Sequence, residues 1–436
     1  MRTRTEIDNC EWFGKVPDGW HMVPLPRLFG SSKGMTVTRA DLTEEGAPVV
    51  NYAQVHSKLN SKFGLLDELV KYVPEDMVPI GLRTSDMGSF IFACTSEDLA
   101  GCGDCIYNDS NRSVNPGGDT LLLSPKNGTE NKYLAYLFST DMWRQQLRRG
   151  LVDVKVFHVN QGDLHEDYVV VPPADVQNRI VSYLDERCAS IDEDIAKRRE
   201  VIGKLKEYKK SLIARAVTKG LDPNAEMKDS GIKWVTTIPS HWQTAHLKTL
   251  FEVTKRIAGV DGLTVLSITQ NGIKPKDFSS GKGQFAETYS HYQLVRRGDF
   301  AMNHMDLLTG WVDISSYDGV TSPDYRVFVT RDATVSNPKY FLYLFQMCYL
   351  NRIFFGSANG VADKGRMRLQ TTAFNNFLVP LPTVMEQKKI ADFLDERCAD
   401  IDEAVSRQEQ LIEKLGEYRK SIIHHAVTGK IDCREA

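Results

Sequence analysis

The residues with the plainest capacity for chemistry are Cys102-Gly103-Asp104-Cys105, with Cys94 shortly before them. Two thiolates at this spacing can share a zinc ion, but a structural zinc site needs four ligands, and no second pair completes the set. Redox use would have the motif open a helix, where the helix end lowers a thiol pKa. The surroundings read instead as strand and turn, so we read structural thiols, with zinc and redox roles as the alternatives. Cys188 and Cys398 fall on helical stripes and read as small core residues. His424-His425 suits a helix C-terminus. No G-x-x-x-x-G-K-[ST] phosphate loop, G-x-G-x-x-G after a strand or H-E-x-x-H is present. An adenine methyltransferase would show Asn/Asp-Pro-Pro-aromatic; Asn115-Pro116 and Asn337-Pro338 lead instead to Gly117 and Lys339. Pro323-Asp324 could open a nuclease carboxylate motif, but no acid-x-Lys follows at sensible strand spacing, and it reads as a turn before a strand. The remaining capacity is recognition. Lys33 to Arg39, Lys255-Arg256 and Lys364-Gly365-Arg366-Met367-Arg368 set basic residues beside Gly and Asn, which suits loops approaching an anionic, hydrogen-bonding surface.

The elements that must position these loops occur twice. Residues 177–218 align without gaps on residues 387–428, and 22 of 42 positions are identical. Upstream of each copy stands W-x4-P-x2-W, at Trp12 to Trp20 and again at Trp234 to Trp242, after which Phe29 matches Phe251. The order is therefore variable, constant, variable, constant. The constant segments carry apolar residues at 3/4 spacing: Leu184, Cys188, Ile191, Ile195, Ile202, Leu205 and Leu212, then Leu394, Cys398, Ile401, Val405, Ile412, Leu415 and Ile422. A helix of such length, about 60 Å, cannot bury its stripe alone. The economical expectation is that the two pack on each other, antiparallel, with the polar stripe positions Arg198 and Gln408 setting register.

The variable segments read as mixed α/β. Pro48 to Tyr52, Ser89 to Phe92 and Tyr325 to Val329 predict strands, and Lys132 to Leu137 and Lys339 to Leu344 predict helices, with Asn131 and Asn337 at the N-cap. Tyr168 to Pro173 and Phe377 to Pro382 are apolar runs ending each segment. The chain of 436 residues, 42% apolar and 25% charged, is globular in composition and long enough for two or three domains. No run approaches a membrane span, and Met1 to Arg4 leads into no apolar signal core, so a cytoplasmic protein is expected. A net charge of −3 speaks against nucleic acid as a partner. Divided by segment, it averages a −5 region (20–172) with a +4 region (242–382), so the objection falls.

These residues resemble a family. Gly-Ile-Lys-Trp-x3-Ile-Pro-x2-Trp at 231–242, Val176-Gln177 and Glu386-Gln387 at the helix starts, and the helices at 184–220 and 394–429 are similar to those of specificity subunits of Type I restriction–modification enzymes. Gly34 to Leu42 with Val50-Asn51-Tyr52, and Val154 to Phe157, resemble one style of target recognition domain. Gly298 to Asn303, Tyr317 to Pro323 and Gly365 to Leu369 resemble another. Val176 departs from the Glu usual in the family; Glu386 keeps it.

The resemblance implies an α+β protein: two mixed α/β target recognition domains joined by two long conserved helices packed as an antiparallel coiled coil, pseudo-twofold. The expected domains are 1–172, the first recognition domain; 173–220, the first conserved helix; 221–382, a linker and the second recognition domain; and 383–436, the second conserved helix. It implies a subunit without an active site or cofactor of its own that reads a bipartite asymmetric site in double-stranded DNA. Two modification subunits carrying S-adenosylmethionine would methylate adenine, and restriction subunits would use ATP and magnesium. On residue type and loop context, the candidate DNA-binding residues are Lys33, Thr38, Arg39, Asn51, Tyr52, Gln54 and Lys155 in the first domain. In the second they are Lys255, Asn303, His304, Asp306, Tyr317, Ser322, Arg366 and Arg368. A nuclease or methyltransferase fragment, and a scaffold that reads no DNA, are the competing classes. Catalysis by the chain alone, or sequence-independent binding, would identify them.

Overall fold

The computed structural model describes residues 9–10, 13–126, 132–148, 156–278, 288–356, 367–431 and 433. Of the sequence expectations, Trp12, Asn131, Lys155 and Lys364 to Arg366 lie outside the described residues. The chain divides into two compact units, Met1–Lys197 with Gln410–Ala436, and Arg198–Glu409.

The first unit is built on an antiparallel sheet of β1 (Phe29–Lys33), β2 (Phe90–Ala93), β3 (Cys105–Tyr107) and β4 (Thr120–Pro125), in the order β1-β4-β2-β3. β2 and β3 are buried on both faces, which is why Phe90-Ile91-Phe92-Ala93 reads as a continuous apolar run rather than an alternating one. Phe90, Phe92, Leu121 and Leu123 meet α1 (Lys132–Phe138) on one face. Ile91, Ile106 and Leu122 close a smaller core with Val50, Val55 and Leu69 on the other.

The second unit repeats the plan with β5 (Phe251–Thr254), β6 (Phe300–Met302), β7 (Val312–Ile314) and β8 (Arg326–Thr330) in the order β5-β8-β6-β7, all antiparallel. Its helix, Pro338–Leu350, is capped by Asn337, whose side chain accepts from the Lys339 and Tyr340 amides. The likeness reaches individual rings. Phe29 meets Phe90 edge-on with centroids 5.7 Å apart, and Phe251 meets Phe300 edge-on at 5.5 Å. In both units the strand that ends the variable segment, Tyr168–Val171 or Leu378–Leu381, pairs antiparallel with a strand after the second tryptophan of the motif.

Two long helices, Ala174–Lys219 and Val384–Val427, follow the variable segments. Each ends at a glycine in the left-handed region, Gly220 (φ +73°) and Gly429 (φ +69°), which a residue with a Cβ adopts only at a cost. In the first unit Leu184, Cys188 and Ile191 share a core with Ile422, Ile423 and Val427. In the second, Ile213 and Val217 share a core with Ile390, Leu394 and Cys398. The ion pairs run in opposite order along the two helices: Lys206 with Glu409 and Lys209 with Asp402 in the second unit, Arg419 with Asp192 in the first. The polar stripe positions meet directly, Arg198 Nη1 donating to Gln408 Oε1 at 2.8 Å.

The repeated motifs account for how each unit holds its helix ends. Trp242 is fully buried and its indole N–H donates to Glu386 Oε1 at 2.9 Å, while the ring lies against Gly220. In the first unit, where Val176 stands in place of that Glu, Trp20 packs edge-on to Tyr133 and beside Gly429. Tyr133 donates to the carbonyl of Val427, and Tyr340 to that of Val217, so an otherwise unpaired helix-terminal acceptor is satisfied in each unit. Lys132 and Tyr136 both bind Asp185; Lys339 and Tyr343 both bind Asp395. Gln177 and Gln387 each donate to the carbonyl of the proline five residues before.

Candidate nucleic-acid interface

In the first unit, Lys33 ends β1 opposite Leu121, at the far end of the sheet from the Phe29–Pro125 pair. At that end two clefts of about 600 and 710 Å³ share Tyr52, Thr95 and Asp119 in their walls. Backbone meets backbone beneath them. A Cβ on Gly34 would stand 2.2 Å from the Gly117 carbonyl oxygen, and one on Gly118 would stand 2.5 Å from that of Val37, so these positions take only glycine. The side chains around the clefts divide into two kinds. Asn160 caps Gln161–Glu166, Gln161 donates to Ser31, and Thr120 donates to the Gly117 carbonyl, all internal work. Lys33, Thr36, Tyr52, Asp119 and His158 make no side-chain hydrogen bond or ion pair among the described residues and remain open to a ligand.

A buried charge cluster lines the second cleft. Asp104 receives Lys62 at 2.6 Å and Arg144 at 2.7 Å, with His56 Nδ1 3.6 Å away. Burial would raise the Asp104 carboxyl, but His56, Arg144 and Lys62 outweigh it and hold the group far below the ordinary carboxylate range. The hydrogen bond to Asp104, working against burial, raises His56. Cys102 and Cys105 beside this aspartate lie in the apolar core, and burial pushes the Cys105 thiol up to about 12. A thiol so placed is a packing group, which fits the structural role read from its surroundings.

The second unit offers the corresponding sheet end. Lys255 follows β5 as Lys33 ends β1, four residues after the matched phenylalanine, and it is exposed. Asn303 and His304 follow β6; the His304 carbonyl accepts from Leu369 as the Cys94 carbonyl accepts from Val159 in the first unit. Arg326 is 2% exposed, donates to the Leu369 carbonyl at 2.9 Å and lies 4.5 Å from the Phe374 ring centre. Burial lowers it to about 10. Burial, with the Arg326 and Arg368 charges, pushes His304 down to about 3, so its imidazole is neutral at physiological pH.

The sequence candidates therefore fall into groups. Lys33 and Tyr52 line the clefts of the first unit, and Arg39 is exposed. Lys255, Tyr317 and Arg368 are exposed in the second. Thr38 donates to Asp41 in a local cap, and Gln54 accepts from the amide of Asn51, itself 7% exposed. Asp306 accepts from Leu308 and Thr309, the Ser322 hydroxyl accepts from Asp324, and Asn303 accepts from Met305. His304 is half-buried. Thr36, Asp119 and His158 escaped the sequence reading; Gly117-Gly118 before Asp119 was the available signal of a tight approach.

Two repeats of one sheet-and-helix unit, with open polar clefts at the sheet end of the first and a basic sheet end in the second, define a tandem two-unit protein. The Type I restriction modification DNA specificity domain family matches residues 17–201 and 239–414, and the chain belongs to that family. It is similar to the putative type I restriction enzyme MjaX specificity subunit of Methanocaldococcus jannaschii, 22% identical over 96% of this chain and 95% of that protein. It is also similar to the type I restriction enzyme EcoKI specificity subunit of Escherichia coli, 19% identical over 67% of this chain and 56% of that protein. Among solved structures it shares the fold of a chain from work on complex assembly and conformational transition of the type I R-M system. That chain has a TM-score of 0.68 and 15% identity, with 96% of this chain and all of that one covered. The HsdS subunit from Thermoanaerobacter tengcongensis matches with a TM-score of 0.50 and 15% identity over 96% of this chain and 98% of that one. Among the described residues no helix is long and apolar enough to cross a membrane.

Proposed function

We propose that this chain reads a bipartite, asymmetric DNA target, one half-site per recognition unit, as the non-catalytic specificity subunit of a Type I restriction–modification complex. The observation that carries the reading is the contrast between a repeated frame and unrepeated clefts. The ties of Tyr133 and Tyr340, Tyr136 and Tyr343, Gln177 and Gln387 recur, while the groups at the sheet ends differ apart from Lys33 and Lys255. Two readers on one frame with different surfaces suit two different half-sites. The opposite order of ion pairs along the long helices supports an antiparallel coiled coil and a pseudo-twofold arrangement. Such a rigid pair would fix half-site separation and phase, since DNA turns once in about 10.5 bp.

In this reading two modification subunits bind the helical pair, bring S-adenosylmethionine, and extrude and methylate an adenine in each half-site. Restriction subunits bring ATP and magnesium, and the complex works in the cytoplasm. The candidates Lys33, Arg39, Tyr52, Lys155, Lys255, Tyr317, Arg366 and Arg368 contact DNA; Thr38, Asn51, Gln54, Asn303, His304, Asp306 and Ser322 shape or join those surfaces. Methylome sequencing of a host carrying this chain with its methyltransferase tests the reading. A two-part motif is expected, and exchange of residues 20–172 for those of another family member should change one half only. A single undivided motif, or a change in both halves, would overturn it.

A further inference from the structure

We infer that Asp119 is a specificity-determining residue of the first recognition unit, a hydrogen-bond acceptor that demands the exocyclic amino group of a cytosine or adenine at one position of its half-site. The inference rests on the DNA-reading function proposed above and adds the base chemistry. Asp119 belongs to the walls of both clefts, together with Tyr52 and Thr95. Its position is closely held. The Gly117 amide donates to Val50 at 2.7 Å, the Thr120 hydroxyl to the Gly117 carbonyl at 2.7 Å, the Tyr52 amide to the Gly118 carbonyl at 3.2 Å, and the Cys94 amide to the Asp119 carbonyl at 2.7 Å. The two glycines before it have no room for side chains, so Asp119 is the first residue of this turn that can present one.

Two further observations separate this carboxylate from an ordinary surface acid. It makes no hydrogen bond or ion pair among the described residues, although Lys33 and His158 line the same cleft. It also stands at φ +53°, where glycine would be the less strained choice, so the backbone gains nothing from the side chain. Asp104, by contrast, is fully engaged by Lys62 and Arg144. A carboxylate facing DNA is repelled by phosphate and can only accept hydrogen bonds. The major-groove donors are the amino groups of cytosine N4 and adenine N6, whereas guanine and thymine present acceptors at the matching places. Lys33, a cation lining the same cleft, supplies the attraction to phosphate that the carboxylate lacks.

The test is the methylome of a host expressing the chain with its methyltransferase, compared for the native chain, Asp119→Gly and Asp119→Asn. Asp119→Gly removes the carboxylate while relieving the left-handed backbone, so its melting temperature should not fall. Discrimination at one position of the first half-site, a C or an A on the contacted strand, should drop about 10-fold or more. Asp119→Asn keeps an acceptor and adds a donor, so it should admit guanine or thymine at that same position. The second half-site should be unchanged in both. A native two-part motif that survives Asp119→Gly intact overturns the assignment of Asp119 alone, as does uniform loss of methylation by a variant that melts like the native chain. A native methylome with no two-part motif overturns the function itself.

Discussion

Asp104→Asn tests the charge cluster at the second cleft most directly. The substitution keeps the shape and removes the charge that Lys62 and Arg144 face. The Arg144 side chain is 4% exposed, so its guanidinium cannot turn to water when the carboxylate is lost. Its remaining contacts, the carbonyls of Phe138 at 3.0 Å and Ala100 at 3.1 Å, do not neutralise it. Leaving one partner of a buried pair uncompensated costs about 3–5 kcal/mol. For a unit of this size that is roughly 6–20 °C in the melting of the first unit. The pH profile adds a second constraint. Asp104 is depressed in the fold, so its stabilisation is complete above the unfolded value of 3.8 and is lost as pH falls towards its folded value. His56 is raised, so its share is complete below 6.5 and is lost as pH rises through its folded value. Thermal unfolding of both proteins from pH 3 to pH 9 should therefore show a wide gap from about pH 4 to 6.5, narrowing modestly on the alkaline side and beginning to narrow below about pH 4. A gap below about 1 kcal/mol at pH 6, or one that widens with rising pH, would refute the account of Asp104 as the anchor of three cations.

Lys33→Ala and Lys255→Ala should each weaken DNA binding by the assembled complex and reduce the slope of log affinity against log salt by about one, measured by titration at several salt concentrations; an unchanged slope would remove that lysine from the phosphate contacts. Gly429→Ala forces a Cβ to 2.6 Å from Pro17 at φ +69°, and should destabilise the first unit by about 1–3 kcal/mol in thermal unfolding. Gly203→Ala and Gly416→Ala, mid-helix sites where an added Cβ meets nothing within 4 Å, should each stabilise by about 0.5–1 kcal/mol in the same assay. Because Gly429 lies against Pro17 and Trp20, a circular permutant that joins the segment after Gly429 to the one before Pro17 should keep the native methylation motif, and loss of folding would count against the closed arrangement.

The frame was legible because it repeats. A stripe at 3/4 spacing identified both long helices, and the paired polar positions Arg198 and Gln408 foretold a contact now seen at 2.8 Å. Phe29 and Phe251, matched on sequence alone, start equivalent strands. Strand ends were less legible: Tyr52, grouped with the Pro48 strand, opens the short helix Tyr52–Val55, because the backbone turns at Asn51. The clefts were legible only in part. Residue type marks Lys33 as a contact candidate, but whether Thr38, Gln54 or Asp306 is open to a ligand depends on which local amide or hydroxyl engages it, and short-range caps of this kind satisfy polar side chains without leaving a periodic trace. Asp119 escaped for the opposite reason. An acid is a poor candidate for DNA by charge, and only the geometry shows that it has no partner among the described residues.

The same distinction explains why the variable segments can diverge while the frame does not. The frame ties end largely on backbone: Tyr133 and Tyr340 on helix-terminal carbonyls, Gln177 and Gln387 on proline carbonyls, the tryptophans against glycines. A backbone acceptor is supplied by any sequence that keeps the fold, so these contacts constrain few variable positions beyond the tyrosines and tryptophans themselves. None of the first unit's tie residues lines its clefts. On the proposed function, changes at Thr36, Tyr52, Asp119 or His158 would therefore alter which DNA groups are matched without drawing on the energy that docks the unit to its helices. A recognition unit organised this way can exchange its specificity at little cost in stability, and two such units on one chain can do so independently.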